Sequence, residues 1–401
     1  MDPPLSLVIH EILPTEILKI IFEEHAMLEW KAPAIDGRVC RLWRRIVLNT
    51  PRAWAHFEIR SNSVPMDELR LRLQRSSTAP LHIDTREAGL NFCQKLYDLF
   101  SDHHTRIASL RTRYGSQSFF EGREFPCMLH LDVAHWYPIR WGSMPKLQSL
   151  RICDGEFRMV PLCELAPLQT LVLSGVQYTS VLRHTQSLTS LMLSNVFVVD
   201  AISGPLTFPC LTYLSLFGVR SLKPHVNAPR LVTYHEGYIG ESPDISLPSL
   251  VEYGVYHASA SSLDPATWHL SFPSIQRLAI RAGEPVLLSF FTSLANQPHL
   301  LPALQTISAG NIHGSSYRIA EGTQEKLESL VLVRNEACDG DVKVCFETLA
   351  PFKIPLFFAA VSDLSIKWSR ALLTHVLVTR SSLLKTLRSY VLNCSHSSSK
   401  L

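Results

Sequence analysis

One recurring unit constrains this chain more than anything else in it: a short pattern, L-x-x-L-x-L, that returns along much of its length. It reads Met128, Leu131, Val133; Leu147, Leu150, Ile152; Leu168, Leu171, Leu173; Leu188, Leu191, Leu193; and Leu211, Leu214, Leu216. Looser copies follow at Leu231 with Tyr234, at Leu250, Tyr253 and Val255, at Ile275, Leu278 and Ile280, at Leu304 with Ile307, and at Leu327, Leu330 and Leu332, while Ile107 with Leu110 reads as a weak first copy. Each L-x-L predicts a short strand whose alternate residues point inward. One such strand cannot bury its face alone, so the copies must stack into a parallel sheet over one continuous core. A proline stands two residues ahead of the first leucine at Pro145, Pro209, Pro229, Pro248, Pro273 and Pro302, as suits a loop turning into a strand. The same strands also fit an ordinary α/β domain.

The pattern, at a spacing of roughly 19 to 29 residues, resembles a leucine-rich repeat. It departs from that family after the strand, where Val176, Val196 and Val219 replace the usual Asn or Cys. The resemblance therefore implies an irregular solenoid with uneven loops and no asparagine ladder. In such a solenoid the residues between the inward leucines line an open face. Arg151, Met192, Phe217, Tyr256 and Arg281 are the candidates there for contact with a protein target, and Val331 is placed on the same face. Loops or the C-terminal segment covering that strip is the competing reading. After Asn335 the pattern decays; apolar Phe346–Leu364 and helically spaced Trp368–Leu392 are expected to cap the last repeat, ahead of a frayed tail at Ser395–Lys400.

The N-terminal segment has a different period. Pro14 and Thr15 open a helix whose Ile17, Leu18, Ile21 and Phe22 form one apolar stripe. A second helix carries Val39, Leu42, Trp43, Ile46 and Val47, with Arg38, Arg41, Arg44 and Arg45 as a solvated face, and Asn49-Thr50-Pro51 ends it before Trp54 and Phe57. So small a unit, holding Trp30, Trp43 and Trp54, has difficulty burying all its apolar surface internally, which suggests a partner.

Leu13-Pro14-Thr15-Glu16-Ile17-Leu18 with Ile21-Phe22, then Val39-Cys40-Arg41-Leu42-Trp43, then Trp54, resembles an F-box. The spacer between the blocks is longer than the common form and contains Pro33 and Gly37. The resemblance implies a three-helix unit that binds the Skp-type adaptor of an SCF (Skp–cullin–F-box) ubiquitin ligase. By position, Leu13, Pro14, Ile17, Leu18, Ile21, Val39, Cys40 and Trp43 would meet the adaptor; packing inside the unit is the plain alternative for each. Downstream, Met66–Arg75 is an amphipathic helix candidate, Ser76–Pro80 a turn, Leu81–Asp84 a strand and Phe92–His103 helically spaced. That order resembles the connector of a large fungal F-box family.

The expected fold is α/β (α+β overall): an F-box at 8–57, a connector with first helical and strand elements at 58–125, an irregular solenoid at 126–340, and a cap and tail at 341–401. The resemblances imply a non-catalytic substrate receptor of a ligase, with the adaptor, through it a cullin, and an unknown protein target as partners. An F-box scaffold acting outside a ligase, and an unrelated repeat-fold binding protein, stay open.

Composition narrows the partners. With 38 Lys+Arg against 35 Asp+Glu and a net charge of +3, nothing global favours nucleic acid or an acidic membrane. The nine cysteines are scattered, without C-x-x-C or zinc spacing, and read as buried thiols of a reducing compartment. The start Met1-Asp2-Pro3-Pro4 is a poor signal peptide and no apolar run reaches membrane-span length, so an intracellular location, cytoplasm or nucleus, is expected and Asn393-Cys394-Ser395 is read as a chance acceptor motif. No G-x-S-x-G, H-E-x-x-H, Walker A loop or G-x-G-x-x-G occurs. The nearest fragments, His235-Glu236, Gly237-x-x-Gly240 and the pair His103-His104, lack the required context. No cofactor or metal is expected.

Overall fold

The repeat begins earlier than its leucines suggest. Ahead of each proline stands a buried residue whose carbonyl accepts a hydrogen bond from the first leucine's N–H. Met144 and Leu147 pair this way, as do Phe208 and Leu211, Ala228 and Leu231, Leu247 and Leu250, Phe272 and Ile275, and Leu301 and Leu304. Proline's fixed φ suits the second position of such a turn. The working unit is thus an apolar residue, Pro, any residue, then L-x-x-L-x-L, and Phe125-Pro126-Cys127-Met128 is a further copy.

The computed structural model describes residues 13–346 apart from 116, 136–143, 156–167, 179–185, 199–205, 220–225, 238–246, 248, 259–264, 266, 267, 269–271, 312–318, 339 and 340. The chain divides into two compact units, 1–313 with 319–347, and 314–318 with 348–401; the second lies outside the described residues, as do 8–12 and all but 341–346 of the cap and tail expected at 341–401.

The described residues begin with three helices, α1 (Thr15–Leu28), α2 (Ala32–Asp36) and α3 (Arg41–Leu48), followed by a 3-10 turn at Pro51–Trp54. The long spacer holds the single-turn helix α2, with Pro33 in its first turn, where proline needs no donor. Then come β1 (His56–Glu58), α4 (Met66–Arg75), β2 (Leu81–Asp84), α5 (Leu90–Phe100), β3 (Ile107–Tyr114), α6 (Gln117–Phe120), β4 (His130–His135), β5 (Ser149–Gly155), β6 (Thr170–Tyr178), β7 (Ser190–Ser194) and β8 (Phe197–Val198). They continue with β9 (Leu206–Thr207), β10 (Tyr213–Phe217), β11 (Val226–Asn227), β12 (Thr233–Gly237), β13 (Glu252–Ala258), β14 (Arg277–Ala282), α7 (Glu284–Asn296), β15 (Thr306–Asn311), α8 (Glu321–Cys338) and β16 (Lys343–Phe346).

The main sheet runs β1-β2-β3-β4-β5-β6-β7-β10-β12-β13-β14-β15-β16, and the described pairings along it are parallel. The sheet therefore reaches back through the connector: Leu81–Asp84 is its second strand, and the weak copy at Ile107 is a strand of eight residues. Leu131, Leu150, Leu171, Leu191, Leu214, Tyr234, Tyr253, Leu278 and Ile307 stand in one register across consecutive strands, none more than 1% exposed. Helices α4, α5, α7 and α8 send Leu69, Leu96, Phe290 and Leu327 into the same core, so they cover the leucine side of the sheet.

In the main sheet from β4 to β14, a carbonyl in front of the strand does the tying that an asparagine ladder would do. Gln148 O accepts from both Gln169 N (2.8 Å) and Thr170 N (2.9 Å), and Gln169 O accepts in turn from Thr189 N and Ser190 N. Leu129, Thr189, Thr212, Val232, Val251 and Gln276 repeat the arrangement. Behind β7 and β10 the chain turns through a left-handed residue, Asn195 at φ 50° and Gly218 at φ 67°, a region that asparagine and glycine tolerate.

One expected repeat is not a strand. Leu327, Leu330 and Leu332 lie in helix α8, and with them Val331, which is therefore absent from the sheet face. Leu327, Val331 and Arg334 are its buried residues, at helical spacing, while Leu332 is 59% exposed. The surrounding Glu325, Lys326 and Glu328 favour a helix, and no proline turn precedes the leucines.

Candidate functional site

The first candidate surface is helix α1, which is apolar on two sides. Leu18, Phe22 and Ala26 recur every four residues and are each 1% exposed, packed with Ile46, Val47, Ala53 and Trp54. Leu13, Ile21, Leu42 and Trp43 lean on this small core, and Phe22 meets Trp43 edge-on at 5.0 Å. The opposite side presents Ile17, Ile20, Met27 and Leu28, of which Leu28 is 79% exposed, and Ile35 and Val39 are exposed in the segment that follows. Arg38, Arg41, Arg44 and Arg45 are exposed as well.

The residues assigned to adaptor contact therefore separate. Pro14, Ile17 and Val39 are exposed, while Leu13, Ile21 and Trp43 are part-buried. Leu18 is inside the unit's own core. Cys40 uses its thiol locally, accepting from Trp43 N at 3.4 Å as the cap of α3. Ile20, Leu28 and Ile35 join the exposed set. A helical-spacing count from Ile17 reaches Ile20 and Leu28, so the signal for them was present in the sequence.

Two polar devices hold this unit in shape. His25 Nδ1 lies 3.1 and 3.2 Å from the carboxylate oxygens of buried Asp36 and ties the end of α1 to α2. The hydrogen bond to Asp36 raises the His25 pKa against the opposing effect of burial. The second device joins the unit to the sheet. Arg72, on α4 and 1% exposed, donates to the carbonyl of Trp30 and sits 4.7 Å from the Trp30 ring and 5.4 Å from the Trp54 ring. Burial brings its pKa down to about 10. Arg75 stacks 4.5 Å from the Trp54 ring.

The second candidate surface is the open face of the sheet, which changes character along its length. At the start it is charged and internally matched. Arg86 forks onto Asp84, and Arg151 stands 3.8 Å from Asp132. Burial pushes the Asp132 pKa up against the pull of Arg151, Arg86 and Arg111. Beside this lattice runs a row of histidines. The rings of His56 and His82 stack at 4.8 Å, and burial, then the neighbouring His82 and Arg72, bring His56 down to about 4. His82 and His130 are lowered too, first by burial.

Past Val172 and Met192 the face turns aromatic. Across β10, β12, β13 and β14 the register aligns Phe217, Gly237, Tyr256 and Arg281. The rings of Phe217 and Tyr256 meet across Gly237 with centroids 5.2 Å apart, and the Arg281 guanidinium lies 5.0 Å from the Tyr256 ring. His235 fills the next row, 5.9 Å from Tyr256 and 5.6 Å from Tyr213. Its Nε2 lies 3.3 Å from Glu252, which Arg277 also engages at 2.9 Å. The His235 hydrogen bond, more than Arg277, lowers the Glu252 pKa.

Of the five residues assigned to target contact, Phe217, Tyr256 and Arg281 come together. Arg151 stands in the charged lattice beside Asp132, and Met192 occupies the row next to Phe217, paired with Ser215. The adjacent sequence pair His235-Glu236 splits across the sheet: Glu236 is 3% exposed on the inner side and accepts from the hydroxyls of Tyr234 and Tyr253. Among the described residues, no helix is long and apolar enough to cross a membrane and no cluster of His, Cys, Asp and Glu is arranged to hold a metal. Compared with known proteins, the chain matches no family model and no curated protein.

Proposed function

We propose that the chain is a non-catalytic receptor of an SCF-type ubiquitin ligase, docking a Skp-type adaptor, and through it a cullin, with its N-terminal helices and a protein target with the open sheet face. The observation that carries this reading is the two-sided apolar character of α1: its core side is complete with Leu18, Phe22 and Ala26, yet Ile17, Ile20, Met27 and Leu28 remain outside. Exposed apolar surface of this kind on a small helical unit is what a helix-docking partner covers. The F-box resemblance of Leu13–Leu18 and Val39–Trp43 supplies the class of partner. Pro14, Ile17 and Val39 form the contact with Ile20 and Ile35, while Leu18 and Cys40 shape it from within. The chain then acts by proximity, raising the effective concentration of a target near a ubiquitin-loaded enzyme, inside the cell in cytoplasm or nucleus.

The test is co-purification of the full chain with adaptor and cullin, using the double substitution Ile17→Asp with Ile20→Asp. Both residues are exposed, so circular dichroism should show an intact fold while adaptor and cullin are lost. Adaptor binding that survives the substitution sinks the assignment. Adaptor recovered from the unaltered chain without cullin points instead to a scaffold outside a ligase.

A further inference from the structure

The helical unit and the sheet do not share one core. Leu18, Phe22, Ile46, Val47 and Trp54 belong to one buried cluster, and the sheet's own cluster begins at Trp30, Ala55 and Phe57. Between Trp54 and Ala55 the backbone passes from the first cluster to the second. A single crossing of that kind would let the unit turn on it. Helix α4 supplies a second attachment: its Leu69 and Leu73 are buried in the sheet core, while its Arg72 and Arg75 reach the tryptophans of the helical unit. The Trp30 ring, packed with the sheet's cluster, is a third.

Of these attachments the Arg72 guanidinium has direction. Apolar packing of a ring is non-directional, whereas a guanidinium is a rigid planar donor. Arg72 donates to the Trp30 carbonyl just past the C-terminal end of α1, the negative end of the helix dipole. Its charge also lies over two rings, 4.7 Å from Trp30 and 5.4 Å from Trp54. A cation is a costly way to join two bodies. Arg72 is 1% exposed and its Nε has no hydrogen-bond partner among the described residues. It forms no ion pair among them either, although Glu68 and Glu29 lie in its field. A methionine would fill the same space without the desolvation cost of a buried charge. What the guanidinium adds is a fixed geometry.

We infer that Arg72 is a positioning residue, which holds the helical unit at one angle to the open sheet face. This deepens the receptor reading above and rests on it for the words adaptor and target only. A stiff joint keeps those two partners at one reach, and effective concentration depends on that reach.

The experiment reads the angle on the full chain without adaptor. Spin labels are introduced through an unnatural amino acid at Arg45 on α3 and Lys95 on α5, both exposed, so that the native cysteines stay unlabelled. By pulsed electron–electron double resonance the unaltered chain should give a single narrow distance distribution. Arg72→Met, which fills the space but cannot donate, should widen it about twofold or more while circular dichroism shows helices and strands intact. Arg72→Ala should widen it at least as far. Arg75→Gln, which removes only the stack on Trp54, should widen it less. Affinity for a Skp-type adaptor should be the same in all four proteins, because Ile17 and Ile20 are untouched.

The proposal is overturned by an unchanged narrow distribution in both Arg72 variants, which would leave the angle to the Trp30 ring and the peptide link alone. A broad distribution in the unaltered chain overturns it as well. So does loss of the helix signal in both variants, since Arg72 would then serve folding rather than position. Because the distances are read without adaptor, failure of adaptor binding removes the receptor reading and leaves the joint standing. A failed distance result removes the joint and leaves the receptor reading.

Discussion

Helix α1 holds Leu18 and Phe22 at 1% exposure and leaves Ile20 at 51% and Leu28 at 79%, whereas strand β10 holds Leu214 and Leu216 at 1 and 3% and has no large aliphatic residue on its open side. The strand alternates, so every leucine has a core to enter. The helix has apolar residues on two sides and a core on one of them only. The lesson is that the repeats are self-sufficient, each burying its leucines against its neighbours, while the helical unit carries more apolar surface than it can use.

The largest effect that tests this contrast is a cavity in the stack. Leu214→Ala should cost about 2–5 kcal/mol, read as a fall in the urea midpoint of the sheet; a loss no greater than that of a surface substitution breaks the claim that the leucines form one close-packed column. Next comes the joint. Arg72→Ala removes the bond to the Trp30 carbonyl and both ring contacts, and should cost about 2–3 kcal/mol. Amide exchange should quicken over residues 15–54 while β4–β15 stay protected; uniform quickening would mean that the helical unit and the sheet unfold as one.

Acidity should move the two regions in opposite directions. His25 has a raised pKa through Asp36, so its stabilisation is whole below the unfolded value of 6.5 and is lost as pH rises through the folded value. His56, His82 and His130 are depressed. Their contribution is whole above the unfolded value and is lost as pH falls, for His56 toward about 4, at most about 3 kcal/mol. Amide exchange corrected for intrinsic rates should therefore show β1 and β2 loosening between pH 6.5 and 4, where α1 and α2 hold. His56→Gln should flatten the first trend and leave the second. The smallest effect is Ile20→Ser, which should shift unfolding by less than about 0.5 kcal/mol; a large loss would mean that Ile20 supports the fold rather than a partner.

Much of the fold was legible because the leucine period is local. L-x-L reports a strand wherever it stands on a sheet whose other side is open, and Leu150, Leu171 and Leu191 needed no knowledge of one another. The same pattern misleads at Leu327–Leu332, where helix formers and the lack of a proline turn decide otherwise. The aromatic part of the open face was half legible: Phe217, Tyr256 and Arg281 follow from alternation. What brings Phe217 to Tyr256 is Gly237 between them, and that neighbour is fixed by loop lengths across three repeats, which no local window contains. His235 is hidden by its pairing in sequence with Glu236, because successive strand residues face opposite ways. On α1, the stripe was legible but not which side of it the core would take.

The carbonyl that receives two N–H groups from the following strand has an evolutionary corollary. From β4 to β14 of the main sheet each repeat presents to the next the same pair of donors and the same acceptor, so a whole repeat removed or duplicated there leaves cut ends that still match. A partial repeat cannot: it would leave Gln148 or Thr189 facing the wrong atoms. The sheet can thus change length only in whole increments, and insertions between increments fall on the loops.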